Sequence, residues 1–506
     1  MPLPLRTRRR ASRVAAALVP VMVAALLAPL APAVLAAPTV HGPYQLADGV
    51  KLWRYRHQAP FQVRVLRIDS TLATIDVVPG GEEFGTVSRV SVQAVDNGAI
   101  AAVNGDFGTF KGLPTHESLI DTVLRTSGIA RGVALSVTTT GRRAWARPPT
   151  GAVIATLPSG PSKVWHLNAG AAGRKEVVAF TKVGGDVERP AADMCAARLV
   201  PSSPPRWSNA HHAGIARTYT VDKQPEPCLF RRMGFGAGAS LASVIVQAKR
   251  GCSCANRITA LEVDDTVDLT WKTKGRSNIT DQVGGQPQLV RGGRNVAPGP
   301  DTPGYFFDAN PRTGAGITQG CTDRLTDTTC YVYLLTVDGR QQGWSKGMTL
   351  TRFADEFLQL DPPAYDAINL DGGGASEMWV SETNDEYCQL TPPAGGCTVN
   401  RPSDGSERGA ITSIQVLAGP NADPGEPDLS GAAGALLGSP PPVGTTAPID
   451  LEMWASLAAT DPGSTGGLFD ALAQGSLGDP SSKARFGRTL RIYRGALAAG
   501  RLGLPH

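Results

Sequence analysis

At 506 residues the chain has room for two or three domains. Its net charge of +5, with no basic stripe interleaved with aromatics, argues against a nucleic-acid binder. Charged residues make up 18%, against about 25% in an average soluble domain, and 58 glycines and 40 prolines make much of the chain loop.

The first thirteen residues hold five arginines, in R-T-R-R-R-A-S-R, and an Ala/Val/Leu-rich stretch follows over residues 14–35. Small residues then appear in V-L-A-A-P, the pattern of a secretory signal cut after Ala36 or Ala37. An uncleaved anchor is the competing reading, weakened by Pro20, Pro29 and Pro32. Without those arginines the mature chain is close to neutral. No second apolar run reaches spanning length, so no stable membrane span is expected after cleavage and the location is secreted or cell-envelope. The export route, Sec or twin-arginine, stays open. Eight cysteines, an even number, read as disulfides in an exported chain. Cys321 with Cys330 and Cys388 with Cys397 would each close a short loop. Cys195, Cys228, Cys252 and Cys254 would pair among themselves, with connectivity open. A zinc site from Cys252, Cys254, His211 and His212 lacks the usual C-x₂₋₄-C spacing.

Past the signal, Q-V-R-V-L-R-I-D (62–69) and A-T-I-D-V-V (73–78) alternate apolar and polar residues as two half-buried strands of one sheet. A short helix then leads into a buried strand over 99–103, which ends at N-G-D-F (104–107). G-V-A-L-S-V and I-T-A-L-E-V (258–263) also read as strands. From 148 to about 255 the periodicity blurs into a cysteine-bearing insertion. It returns near Leu261, with Y-V-Y-L-L-T-V (331–337) as a buried strand. The next element is an amphipathic helix with Leu350, Phe353, Ala354, Phe357 and Leu358 on one face, Thr349 as N-cap, and Pro362 and Pro363 beyond its end. A further strand runs into Asp371, so Asn104, Asp338 and Asp371 each stand at a strand exit. The expected organisation is a signal (1–37), one domain (38–420) and a Pro/Gly-rich linker with a tail (421–506). The expected fold is α+β, a mixed twisted β-sheet core with flanking helices.

Two motifs fail their chemistry. G-W-S-K-G (343–347) fits a nucleophile elbow, but that fold takes its acid and histidine after the serine, and the only later histidine is His506. G-F-G-A-G-A near Gly234 has no apolar strand before it. What remains is a series of polar groups in glycine-rich settings. Arginine beside glycine in P-R-T-G-A-G-I-T (311–318) suits a phosphate clamp assisted by backbone N–H groups. Asp106 and Asp371 suit the paired carboxylates of glycoside cleavage. Each motif alone is matched by a plain reading, a turn glycine with a capping acid.

Their order is more specific. N-G-D-F is followed by G-G-Q-P-Q-L-V-R-G-G (284–293), P-R-T-G-A-G-I-T, V-D-G-R-x₄-S-K-G-M-T-L (337–350), I-N-L-D-G-G-G-A-S-E-M (368–378) and V-N-R-P-S-D-G-S-E-R (399–408). This series resembles the phosphodiester glycosidases, the family of the lysosomal uncovering enzyme, closely from 284 to 419 and more patchily from 62 to 145. The resemblance implies hydrolysis of a sugar joined through its anomeric carbon to a phosphodiester. It nominates Asp371, Asp106 and Arg312 as catalytic. For substrate binding it nominates Asn104, Thr313, Asp338, Ser345, Gly372, Gly373, Gly374, Ser376, Asn400, Arg401, Asp404 and Arg408. Ala375 and Glu377 depart from the small hydroxyl residues common there, which leaves the sugar open. In this reading Asp371 attacks the anomeric carbon or activates water, Asp106 takes the complementary role, and Arg312 receives the departing phosphate charge. The glycines bring backbone N–H groups to the sugar phosphate. The partner is a glycosyl-phosphodiester or polysaccharide, and no cofactor is called for. Two rivals stay open: a glycan-binding envelope protein without turnover, and a phosphodiesterase that breaks P–O with a divalent cation on Asp338, Asp371 and Asp404.

Overall fold

The computed structural model describes residues 37–419 apart from 59, 110, 121–122, 129–131, 139–143, 148–150, 169–175, 185–193, 204–205, 208–213, 227, 229–232, 237–238, 240–242, 274–278, 300–301, 305 and 323–328. The expected signal and the tail from 421 lie outside the described residues. So do His211 and His212, the histidines of the zinc reading, while its cysteines, Cys252 and Cys254, are joined to each other.

Strands dominate. An eight-stranded sheet runs in the order Thr39–Ala47, Val50–His57, Phe61–Asp69, Tyr331–Val337, Arg312–Ile317, Asp366–Asn369, Gln288–Arg291, Arg294–Asn295. A five-stranded sheet holds Cys397–Thr398, Met378–Val380, Ala101–Asn104, Thr412–Ala418 and Ala73–Pro79. A second five-stranded sheet contains Val133–Thr138, Ile279–Gly285 and Glu117–Ile120. All three are antiparallel, and one apolar core draws on each of them, with Leu66 and Leu334, Val103 and Ile414, and Leu135 and Val283 buried together. The expected α+β fold with a mixed sheet is thus a mostly β structure with three α-helices among the described residues. The single parallel pair there is Gly160–Leu167 with its neighbour Val177–Thr181.

The other face of the eight-stranded sheet carries the helix Leu350–Leu358, so the central strand Tyr331–Val337 is covered on both sides and reads as a nearly continuous apolar run. Thr349 caps this helix, its Oγ1 accepting from the Arg352 N–H at 3.3 Å. Phe353 and Phe357, one turn apart, lie on Gly314 and Gly316, two residues apart on one face of their strand. A Cβ at Gly314 would stand 2.8 Å from Phe353 Cε1, and one at Gly316 2.7 Å from Phe357 Cδ1. The glycines of P-R-T-G-A-G-I-T therefore admit a helix. Their backbone is paired on both sides, with Tyr331–Val337 and Asp366–Asn369, so the expectation that this segment offers its N–H groups to a phosphate does not hold.

Three further expectations change. The 62–69 and 73–78 segments form Phe61–Asp69 and Ala73–Pro79, but in different sheets, because alternation reveals an apolar face and not a partner. Their polar faces are also buried, with Arg64 and Asp76 both enclosed. I-T-A-L-E-V is not a strand. Ile258 closes the helix Ser253–Thr259 and Leu261 follows at i+3, both buried, while Val263 is exposed. The segment expected as a blurred insertion supplies strands of its own eight-stranded sheet, from Gly151–Leu157 to Val244–Lys249 and completed by Thr266–Thr273. Cys195–Cys228 and Cys252–Cys254 join the two expected pairs, Cys321–Cys330 and Cys388–Cys397. Among the described residues no helix is long and apolar enough to cross a membrane.

Gly314→Ala should destabilise the fold by roughly 1–3 kcal/mol, the cost of overpacking a closed core. Urea unfolding of the variant with a midpoint equal to that of the parent chain would contradict the close approach of Phe353.

Candidate active site

The motifs meet where strands of the first two sheets end side by side. Asn104, the last residue of Ala101–Asn104, is almost wholly buried, and its carboxamide ties three of them together. Oδ1 accepts from Thr313 Oγ1 at 2.8 Å and from the Glu377 N–H at 3.0 Å, while Nδ2 donates to the Asp371 carbonyl at 2.8 Å. The main chain adds a fourth tie, Asp371 N–H to the Gly105 carbonyl at 3.0 Å.

Asp371 follows the strand Asp366–Asn369 and keeps partial contact with solvent. Burial pushes its carboxyl up to about 7, against the stabilising Gly372 N–H, which donates to Oδ1 at 2.9 Å. The charge of Asp106 pushes the same way as burial, and that of Arg408 opposes it. The Asp106 side chain is enclosed. Oδ1 accepts from the Phe107 N–H at 2.7 Å and lies 2.5 Å from His116 Nδ1; Oδ2 accepts from the His116 N–H at 2.9 Å. Asp106 therefore acts on Asp371 through charge, with its oxygens already occupied.

Residues 372–374 have no side chains, and other groups fill the space. A Cβ at Gly372 would meet the Pro311 carbonyl at 2.9 Å. At Gly373 (φ +64°) it would stand 3.1 Å from Arg340 Nη2, and at Gly374 2.6 Å from Arg408 Nη2 and against the Asp404 carboxylate. The N–H groups of Gly372 and Gly373 are engaged, with Asp371 Oδ1 and the Pro311 carbonyl. The expectation that these glycines present N–H groups to a sugar phosphate gives way to a loop that admits arginines.

The remaining nominated residues divide by exposure. Arg401, Asp404 and Arg408 face solvent, with Arg408 ion-paired to Asp404. Arg312 is buried, and three of the five N–H donors of its guanidinium go to main-chain carbonyls. Nε reaches Met348 at 3.0 Å, and Nη2 reaches Phe306 at 2.8 Å and Asp308 at 2.7 Å. Burial, reinforced by the charge of Arg340, lowers its pKa to about 10. Asp338 is enclosed too, accepting from Trp344 Nε1 at 2.7 Å and the Arg401 N–H at 2.8 Å, with Arg64 Nη2 at 3.9 Å. Burial raises its pKa, against Arg64 and these donors. Ser345 donates to the Asp338 carbonyl at 2.5 Å. Asn400 clamps 376–378, accepting from the Met378 N–H and donating to the Ser376 carbonyl. The Ser376 hydroxyl is buried without a hydrogen-bond partner among the described residues.

Four residues outside the nominated set belong to this region. Arg64 braces Asp338, His116 pairs with Asp106, and Arg340 lies on Gly373. Glu377, where the sequence departs from a small hydroxyl, hydrogen-bonds Glu407, and burial together with that second carboxyl holds its pKa well above the usual range. The V-D-G-R motif pointed at Arg340; nothing local to the sequence marked His116. Among the described residues no three His, Cys, Asp or Glu side chains converge to hold a metal ion.

Residues 240–417 match the model of the phosphodiester glycosidase family. Among solved structures the chain is similar to a hypothetical protein from Synechocystis, with 16% identity and a TM-score of 0.50 over 73% of this chain and 62% of that one. The likeness shows the fold alone, and the chain spans less than two thirds of that protein. A weaker likeness is to the zebrafish N-acetylglucosamine-1-phosphodiester alpha-N-acetylglucosaminidase catalytic domain, auto-inhibited by its pro-peptide. It has 13% identity and a TM-score of 0.34 over 75% of this chain and 82% of that one. No curated protein matches the chain significantly.

Asn104→Ala would leave Thr313 Oγ1, the Glu377 N–H and the Asp371 carbonyl without their partner, and should cost on the order of 3 kcal/mol in chemical unfolding. A raised carboxyl pKa means that the folded chain keeps a proton the unfolded chain has released. The contribution of Asp371 to stability is thus full below the ordinary aspartate range and lost as pH rises through about 7. Carboxyl ¹³C NMR should place its midpoint near that value and lower in Asp106→Asn; a wild-type midpoint near about 4 would contradict the burial argument.

Proposed function

We propose, from the match of residues 240–417 to the model of the phosphodiester glycosidase family, that the chain is an exported glycosidase that hydrolyses the anomeric C–O bond of a glycosyl-1-phosphodiester. The envelope or an extracellular glycan would hold the substrate. The observation that carries this reading is Asp371, a carboxyl beside the glycine loop, open to solvent on one side and shifted to about 7 by burial and by the charge of Asp106. Such a group exchanges its proton at the pH where the enzyme would work.

Water adds to the anomeric carbon through an oxocarbenium-like state, and the electron pair of the C–O bond leaves on the phosphate oxygen. A phosphate monoester is a stable anion, so protonation of the leaving group matters less than in an ordinary glycoside. Asp371, once deprotonated, attacks the carbon or takes the proton of the attacking water. Asp106 raises the basicity of Asp371 without touching substrate. Asn104, Thr313, Asp338, Ser345 and Asn400 hold the strand ends that place Asp371, and Arg312 holds the main chain near Phe306 and Asp308. No cofactor enters this scheme. The rival with Asp338 as a metal ligand draws no support from a carboxylate already engaged by Trp344 and Arg401.

Hydrolysis of glycosyl-1-phosphodiesters in ¹⁸O water should label the sugar; label on the phosphate would replace the glycosidase with a P–O phosphodiesterase. Asp371→Asn should lower kcat by about 10²–10⁴ with the fold retained. As Asp371 works deprotonated, the wild-type rate should rise with pH and level off above about 7. Substantial turnover by Asp371→Asn would remove Asp371 from this role.

A further inference from the structure

Two guanidinium groups reach the side-chain-free loop that follows Asp371. Arg340 comes from the turn after Tyr331–Val337, its own backbone in the left-handed region at φ +58°. The Oδ1 of Asn310, a buried residue, accepts from Arg340 Nε at 3.0 Å and from Nη2 at 2.9 Å, which fixes the direction of the exposed guanidinium. Asn310 is itself held by reciprocal main-chain bonds to Met348. The Arg340 group then lies at van der Waals distance from Gly373, where a Cβ would stand 3.1 Å from Nη2 and 3.2 Å from Nη1. Arg408 approaches Gly374 and is held by Asp404, four residues earlier. Arg340 is also near enough to Arg312 to add to the lowering of its pKa.

We infer that Arg340 and Arg408, which lie on Gly373 and Gly374, form the subsite that receives the phosphate of the substrate. This rests on the glycosidase reading for its purpose but not for its detection. A guanidinium presents five N–H donors in a planar fork suited to two phosphate oxygens. Asn310 takes two of them at Arg340. As the C–O bond breaks, its electron pair adds charge to the bridging phosphate oxygen, and cations on the loop that follows Asp371 stabilise that charge where it develops. The N–H groups of Gly372 and Gly373 are engaged elsewhere, so the side chains carry the recognition. Asp404 opposes it. Its pair with Arg408 is largely exposed, at 38% and 56% of the two side chains, and a surface pair of this kind is weak enough for a phosphate to displace.

Calorimetric titration of the full chain with inorganic phosphate tests the subsite without turnover, and kinetics on a glycosyl-1-phosphodiester tests the reading it rests on. Arg340→Gln and Arg408→Gln should each weaken phosphate binding at least about tenfold, the scale of one charge-assisted hydrogen bond. Arg340→Lys, which keeps the charge and loses the fork, should fall between, and Asp404→Asn should bind more tightly than wild type. In turnover, Arg340→Gln should lose activity on the phosphodiester and far less on an aryl glycoside of the same sugar. A wild-type chain that binds no phosphate, or an Arg340→Gln/Arg408→Gln variant with wild-type affinity, overturns the subsite even if sugar-labelled hydrolysis stands. Phosphate binding that depends on Arg340 in a chain without turnover would keep the subsite and remove the glycosidase reading.

Discussion

The site depends on the Asn104 carboxamide. One planar group, at the end of one short strand, accepts from Thr313 and Glu377 and donates to Asp371, which joins its own motif to two others. A buried amide with one acceptor and two donors has little tolerance for misplacement, because each lost partner leaves a polar atom without water. The two sheets can share an apolar core at many relative offsets; the amide selects the one in which Asp371 stands beside Asp106. Packing thus supplies stability, and hydrogen bonding at the strand ends supplies register.

Glycine does one job in two places. In 311–318 its missing Cβ lets a helix lie on a sheet; in 372–374 it lets arginines lie on a loop. Both positions invite the idea of a backbone opened to phosphate, but the strand at 312–317 is paired on both sides and the Gly372 and Gly373 N–H groups are spoken for. The difference is in what occupies the space. Apolar rings at Gly314 and Gly316 make core, while guanidinium groups at Gly373 and Gly374 make a charged floor open to solvent. Arg312, the arginine whose sequence position looked most like a phosphate clamp, is consumed by three carbonyls inside the protein.

Much of this was legible before the structure, and what was not has a physical reason. The helix Leu350–Leu358 and its Thr349 cap follow from local spacing, as do strands ending at Asn104 and just before Asp338 and Asp371. Sheet membership does not, since the partner of Phe61–Asp69 lies in a strand far along the chain, at Tyr331–Val337. The motif order, through its family resemblance, pointed to segments that the fold brings together. It could not tell a strut from a surface, because Asp338 and Arg401 read alike as polar residues beside glycine, and only burial separates them. His116 lay beyond reach altogether. A lone histidine after Thr115 carries no sign that its ring will meet Asp106 at 2.5 Å.

Four acids at the site are set apart by their company. Asp338 has an indole N–H, a main-chain N–H and a guanidinium around it, which makes it a brace. Asp106 has three N–H contacts and no exposure, which makes it a fixed charge. Glu377 has another carboxyl for a partner, so the pair must hold a proton between them to share a hydrogen bond in a buried place. Among the described residues one N–H, from Gly372, reaches the Asp371 carboxylate, with a fixed charge on one side and solvent on another. Of the four it is the one that is not buried. A carboxyl kept short of donors in that position is costly to ionise and ready to bond or take a proton. That combination suits a reacting group, and the buried acids around it lack it.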